Sequence, residues 1–156
     1  MQISSSFSDG GTIPAKHAMK TITGGQNVSP SVLIQGIPAG TISIAIAFID
    51  RHPMARSWVH WLAVNIPPSA AEIPEGASPA SLPAGALELE NTFGHGGYGG
   101  PQPPRGSGIH LYELTAYCLS DAVKPATRRP SEKEFIGMIQ GKVLARAKIT
   151  GGFENK

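Results

Sequence analysis

Between Thr41 and Ile49 the chain reads TISIAIAFI, with Ile42, Ile44, Ile46 and Phe48 alternating with the small Ser43, Ala45 and Ala47. A period of two carried by β-branched residues, apolar at nearly every position, predicts a strand buried on both faces. A second strand is predicted over 57–66, SWVHWLAVNI, ending at Pro67-Pro68, which cannot donate to a ladder. Strict alternation there puts Trp58, His60, Leu62 and Val64 on one face and Val59, Trp61, Ala63 and Asn65 on the other. A third strand over 108–119, GIHLYELTAYCL, places His110, Tyr112, Leu114, Ala116 and Cys118 on a common face.

The remaining segments are less regular. Residues 1–30 are polar and rich in breakers, and read as loops and short strands laid over a core. Residues 67–107 show little periodicity, and a connection this long inside one domain usually serves a function. Pro130-Ser131-Glu132-Lys133-Glu134 has the spacing of a capping box, so a short helix is predicted with Phe135, Met138 and Ile139 as its apolar stripe and Gly141 as its stop. The last segment, KVLARAKIT from Lys142, alternates Val143, Ala145, Ala147 and Ile149 with charged residues, as a half-exposed strand does. The class is mainly β, in antiparallel sheets, with short helices, one of them near the C-terminus.

Composition narrows this further. A length of 156 residues suits one domain spanning 1–156. There are 19 Gly and 14 Pro without a short period, which favours loops over long helices. Thirteen basic and 11 acidic residues give a net charge of +2 and are dispersed, so there is no electrostatic footprint for nucleic acid or an anionic membrane. The single cysteine, Cys118, permits no intrachain disulfide. The opening MQISSSFSDGG has neither a basic nor an apolar leader region, so a soluble, cytoplasmic protein without stable membrane insertion is expected.

Candidate chemistry gathers at strand ends and beside the long connection: Asp50, His52, His60, His110 and Tyr112. If the three strands are neighbours, Asp50, His60 and His110 converge at a mouth closed by residues 94–107. Each also has a plainer reading: Asp50 as a turn cap, His60 as a core histidine bonded to a carbonyl, Tyr112 and Cys118 as core. His17 and His95 lie in polar loops and are expected to be solvated, although His95, inside GHGGYGG, is close enough in sequence to border a pocket. The stretch GYGGPQPPRGSG lacks the Gly-Lys-Ser/Thr ending of a phosphate loop. Its glycines can bring backbone N–H groups to an anion, and its prolines stiffen the loop. With imidazoles and a phenol nearby, it suits phosphate or carboxylate, and Asp50 is expected to favour protonated histidines.

The segments GGTIPAKH, GGQNVSPSVLIQGIPAGTISIAIAFID, WVHWLAVNIP, GYGGPQPPRGSGIHLYELTAYCL and GKVLARAKITG together resemble the phosphatidylethanolamine-binding protein family, also called Raf kinase inhibitor-like proteins, in its compact bacterial and archaeal branch. The resemblance implies a β-sandwich of two antiparallel sheets with an anion pocket at one end, without a cofactor. It implies that His60 of WVHW, His110 and Tyr112 of GIHLY, Gly100, Pro103 and Pro104 of GGPQPP, and Asp50 belong to that pocket. Where the family has DPDAP this chain has DRHPMA, so His52 stands at or near a missing aspartate, and Gln102 replaces the usual cysteine of GGPCPP. The expected function is binding of a small phosphate- or carboxylate-containing ligand in a regulatory role, akin to inhibition of a kinase or protease partner. The alternatives are a hydrolase using His60 or His110 as general base, a metal-dependent enzyme built on Asp50, His52, His60 and His110, and a pure protein-interaction module. A homodimer is a further expectation, with Trp58 or Trp61 partly exposed for it.

Overall fold

The computed structural model describes residues 1–156. Its elements in chain order are β1 (Gln2–Ser5), β2 (Gly11–Thr12), β3 (Val32–Gln35), β4 (Ser43–Asp50), β5 (Trp58–Ile66), β6 (Glu72–Ile73), β7 (Leu87–Glu88), β8 (His110–Leu119), α1 (Glu132–Ile139) and β9 (Val143–Phe153). A small sheet has the order β1-β3-β6, and a large one β2-β9-β8-β4-β5-β7. All ladders are antiparallel except the two-residue pairing of β2 with β9, which is parallel.

Three layers result. One core lies between the sheets, where Val32, Ile34 and Ile73 meet Ile44, Ile46, Phe48, Trp61 and Leu114. A second lies on the other face of the large sheet, where Ala45, Ala47, Ile49, Val59 and Leu62 meet Phe135 and Ile139 of α1. Covered on both sides, β4 has all eight residues buried, as its unbroken apolar run predicts. The helix is capped as expected: Ser131 Oγ accepts from the Glu134 N–H at 3.2 Å, and Glu134 Oε2 accepts from the Ser131 N–H at 2.7 Å. No helix is long and apolar enough to cross a membrane.

The alternation predicted for β5 fails at one position, and the failure shapes the site. Phe48 pairs with Trp61 and Ile49 with Val59, so His60 is an extra residue in a β-bulge. The bulge turns both His60 and Trp61 toward the inter-sheet core and sends Leu62 to the helix side with Val59. Trp61 is therefore fully buried, with its indole Nε1 donating to Glu88 Oε1 at 2.7 Å, and offers no surface for a partner. A second irregularity sits at Asn65, whose φ is +58°. Its side chain exchanges two hydrogen bonds, of 2.9 and 2.7 Å, with the backbone of Val123.

Residues 67–107 are irregular apart from β6, β7, a 3-10 turn at Pro68–Ala70 and one bridge between Glu90 and Gly96. The small sheet has little signature in the sequence, because β3 has only four residues and β6 two.

Candidate anion pocket

In the large sheet β4 lies between β5 and β8, so the ends carrying Asp50, His60 and His110 are adjacent. Asp50, the last residue of β4, is the cross-strand partner of Tyr112. Its two carboxylate oxygens are both engaged: Oδ2 accepts from His110 Nδ1 at 2.7 Å, and Oδ1 accepts from the backbone N–H of His52 at 2.8 Å. Asp50 thus caps the turn through Oδ1 while it borders the cavity. The His52 ring stacks on that of His110, with centroids 3.9 Å apart and planes 12° from parallel.

His60 reaches the same place from the β5 bulge. Its Nδ1 donates to the Gly99 carbonyl at 2.7 Å, and its ring meets those of Tyr112 and Phe93 edge-on at 5.1 and 5.4 Å. The carbonyl can only accept, so Nδ1 carries the proton and Nε2 keeps its lone pair. Burial lowers the His60 pKa to about 4, outweighing the raising effects of the Gly99 carbonyl and of Asp50. Asp50 does favour the protonated form of His60, as expected, but desolvation of the cation is the larger effect and the ring stays neutral.

These side chains line a cavity of about 420 Å³. Asp50, His60, His110, Tyr112, Pro103 and Pro104 all border it. The wall is completed by Met54, Ala55, Trp58, Phe93 and Gln102, of which only Gln102 lies in the stretch expected to close the mouth. Trp58 had a usable signal, lying two residues before His60 on one strand; Phe93 had none, because it comes from the irregular connection. Neither His52 nor Gly100 borders the cavity: His52 acts through His110, and Gly100 is packed against the backbone of His17–Met19.

The first part of the glycine-rich lid, residues 97 to 100, does not act as an amide cradle. The N–H groups of Tyr98, Gly99 and Gly100 donate to Ser78 Oγ, the His60 carbonyl and Asn27 Oδ1, each at 2.8 Å, and that of Gly97 donates to the Leu89 carbonyl at 3.3 Å. The reason for glycine at position 99 is close approach, since a Cβ there would stand 2.7 Å from the Phe93 ring. The prolines that follow are tied at their edges. The Met19 N–H donates to the Pro101 carbonyl at 3.0 Å, and Asn155 Nδ2 to the Pro103 carbonyl at 3.0 Å. Ser107 Oγ donates to the Pro104 carbonyl at 2.6 Å and lies 3.0 Å from His110 Nε2, fastening the lid to β8.

His17, expected in solvent, is fully buried beneath this lid. Its Nδ1 donates to the Val28 carbonyl at 2.7 Å, its own carbonyl accepts from Tyr98 Oη at 2.8 Å, and burial lowers its pKa. The polar flanks of residue 17 gave no hint that the lid would fold over it. His95 is exposed, accepts from Asn91 Nδ2 at 3.2 Å and does not border the cavity.

Two donors at the cavity make no hydrogen bond of good geometry, although the Asp50 carboxylate lies beside the first of them. The Tyr112 hydroxyl is buried with its residue wholly inaccessible, and the indole N–H of Trp58 is also buried and unbonded. Burial, with the Asp50 charge adding to it, pushes the Tyr112 phenol well above its ordinary range, so it stays a neutral donor. No group of three or more His, Cys, Asp or Glu side chains is arranged to hold a metal ion. Cys118 is buried, and burial raises its thiol pKa, so it supplies no nucleophile.

The sequence pattern of the family described as "Phosphatidylethanolamine-binding protein" matches residues 3–154. A UPF0098 protein of Methanothermobacter thermautotrophicus is 34% identical over 146 residues, spanning 93% of this chain and 92% of the relative. The crystal structure of Escherichia coli YbcL superposes with a TM-score of 0.90 at 32% identity, covering 99% of this chain and 98% of that one. A phosphatidylethanolamine-binding protein homologue of Chlamydia trachomatis gives a TM-score of 0.82 at 27% identity, over 99% and 97% of the two chains. With its three-layer fold and these likenesses along nearly its whole length, the chain belongs to the phosphatidylethanolamine-binding protein family.

Proposed function

We propose that the protein binds a small ligand through a phosphoryl or carboxylate group in the cavity between His60 and His110, and that it does so without turning the ligand over. The observation that carries this reading is the Tyr112 hydroxyl at the cavity wall, buried, without a hydrogen bond of good geometry and with only the Asp50 carboxylate beside it. A buried donor left unmade costs about 1–3 kcal/mol, and an anionic oxygen is the acceptor that best relieves it. The Trp58 indole N–H supports the same polarity. His60 adds a discriminating feature: neutral, with Nδ1 committed, it offers a lone pair on Nε2. A ligand oxygen that still carries a proton, as in a phosphomonoester monoanion, satisfies donor and acceptor together.

The lining supports binding over turnover, and Ser107, which reaches His110 Nε2 at 3.0 Å, spends its hydroxyl proton on the Pro104 carbonyl. No serine, threonine or cysteine borders the cavity, and Asp50 is held by His110 and His52. The test is a chemical-shift titration with inorganic phosphate, in which the His60 and His110 ring resonances move and Tyr112→Phe weakens the response. Unmoved resonances at millimolar phosphate would sink the reading; hydrolysis of generic phosphomonoesters, lost in His110→Ala, would replace it with the enzymatic one.

A further inference from the structure

A second, wider hollow of about 640 Å³ adjoins the anion cavity. Met54, Ala55 and Trp58 border both, so the two share a wall. Two arginines, Arg56 and Arg129, are among the residues that line the second hollow. Arg56 is exposed and takes part in none of the protein's ion pairs. Arg129 makes one long ion pair, Nε to Glu90 Oε2 at 3.3 Å, with its guanidinium against Gly94, and is 54% exposed. The only acid in the hollow, Glu134, is already occupied, its Oε2 accepting from Ser131 N and Oγ at 2.7 and 2.8 Å.

Two further observations point to this junction. Arg56 and Ser57 have φ of +50° and +57°, a pair of consecutive left-handed residues neither of which is glycine. Backbone strain of this kind persists where surrounding structure enforces it, and it clusters at ligand-binding turns. Trp58, which lines both hollows, also has a buried indole N–H without a hydrogen-bond partner.

We propose that the cavity and the hollow form one bipartite site for a small molecule carrying two acidic groups. The first, phosphoryl or carboxylate, occupies the His60–His110 cavity; the second is held by Arg56 and Arg129; the linking atoms cross Trp58. This rests on the anion reading of the deep cavity. A rigid two-point site gains affinity because the second contact is made intramolecularly, and guanidinium groups pair with planar or tetrahedral oxyanions in a fork geometry.

Calorimetric titration at low salt tests it with glycerol 3-phosphate, as the one-anion probe, and straight-chain alkane α,ω-bisphosphates of graded length. One spacer length binds at least about tenfold tighter than glycerol 3-phosphate, and the Arg56→Ala/Arg129→Ala double variant brings that bisphosphate back to the affinity of the monoester. If glycerol 3-phosphate binds and no bisphosphate binds better, or if the gain survives in the double variant, the bipartite site is wrong and the single-anion reading stands. If glycerol 3-phosphate fails to bind at all, both readings fall.

Discussion

The imidazole of His52 lies flat against that of His110, centroids 3.9 Å apart, while the His52 N–H and His110 Nδ1 each hold one oxygen of the same Asp50 carboxylate. The departure from the family's second aspartate is therefore a stacked pair that braces a pocket histidine without touching the cavity. Replacing His52 with Asp places a second carboxylate beside Asp50, where like charges and an incoming anion repel. We expect His52→Asp to weaken phosphate binding several-fold and His52→Phe, which keeps a stacking ring, to leave it nearly intact. Equal binding by His52→Asp and the wild type in the same calorimetric titration would show that the stack has no bearing on the ligand.

The orphan hydroxyl of Tyr112 makes a two-sided prediction. Tyr112→Phe removes an unsatisfied buried donor while keeping the ring that packs 5.6 Å from Phe48. Stability in urea should be unchanged or raised by about 1 kcal/mol, whereas phosphate affinity falls by about tenfold, the loss of one charge-assisted hydrogen bond. A drop in stability without a drop in affinity would assign the hydroxyl a structural role.

His60 predicts acid sensitivity in a defined window. Its folded pKa of about 4 lies below the ordinary 6.5, so the unfolded chain takes up a proton that the folded one refuses. The contribution is fully present above pH 6.5 and is lost as pH falls toward 4. Two to three units at about 1.36 kcal/mol each make the loss on the order of 3 kcal/mol. Burial lowers His17 in the same direction, adding to the slope. Denaturant midpoints measured from pH 7 down to the folded pKa check this, with His60→Gln flattening the curve; stability that stays level across the range would refute it.

Gly100 and Gly106 should respond differently to alanine. A Cβ on Gly100 would meet the Ala18 carbonyl carbon at 2.8 Å and the Met19 nitrogen at 2.9 Å, both backbone atoms that cannot swing away. Gly100→Ala should therefore cost about 1–3 kcal/mol and loosen the lid. Gly106 has open space around it and only its φ of +77° to oppose a side chain, so Gly106→Ala should cost about 1 kcal/mol. Thermal unfolding of the two variants ranks them; the reverse order would contradict the packing of the lid on residues 17–19.

By itself the sequence determined the long elements. The apolar alternation of 41–49, the aromatic strand before Pro67-Pro68, the strand opening at His110 and the Ser131–Glu134 capping box all appear where local chemistry places them, because each is written in contiguous residues. Asp50, His60, His110 and Tyr112 were legible as a group for the same reason: they sit at the ends of those strands.

Tertiary structure alone decided the rest. The bulge that turns His60 beside Trp61 depends on how β5 pairs with β4, which no spacing within β5 reveals. Phe93 reaches the cavity only because an irregular connection folds back across it, and the amides of Tyr98, Gly99 and Gly100 are taken up by Ser78, His60 and Asn27, from other parts of the chain. His17, polar in its neighbourhood, is buried because that lid closes over it. Periodicity records which face of an element is buried; it carries no record of which distant residues arrive to bury it, nor of which hydrogen bonds they claim.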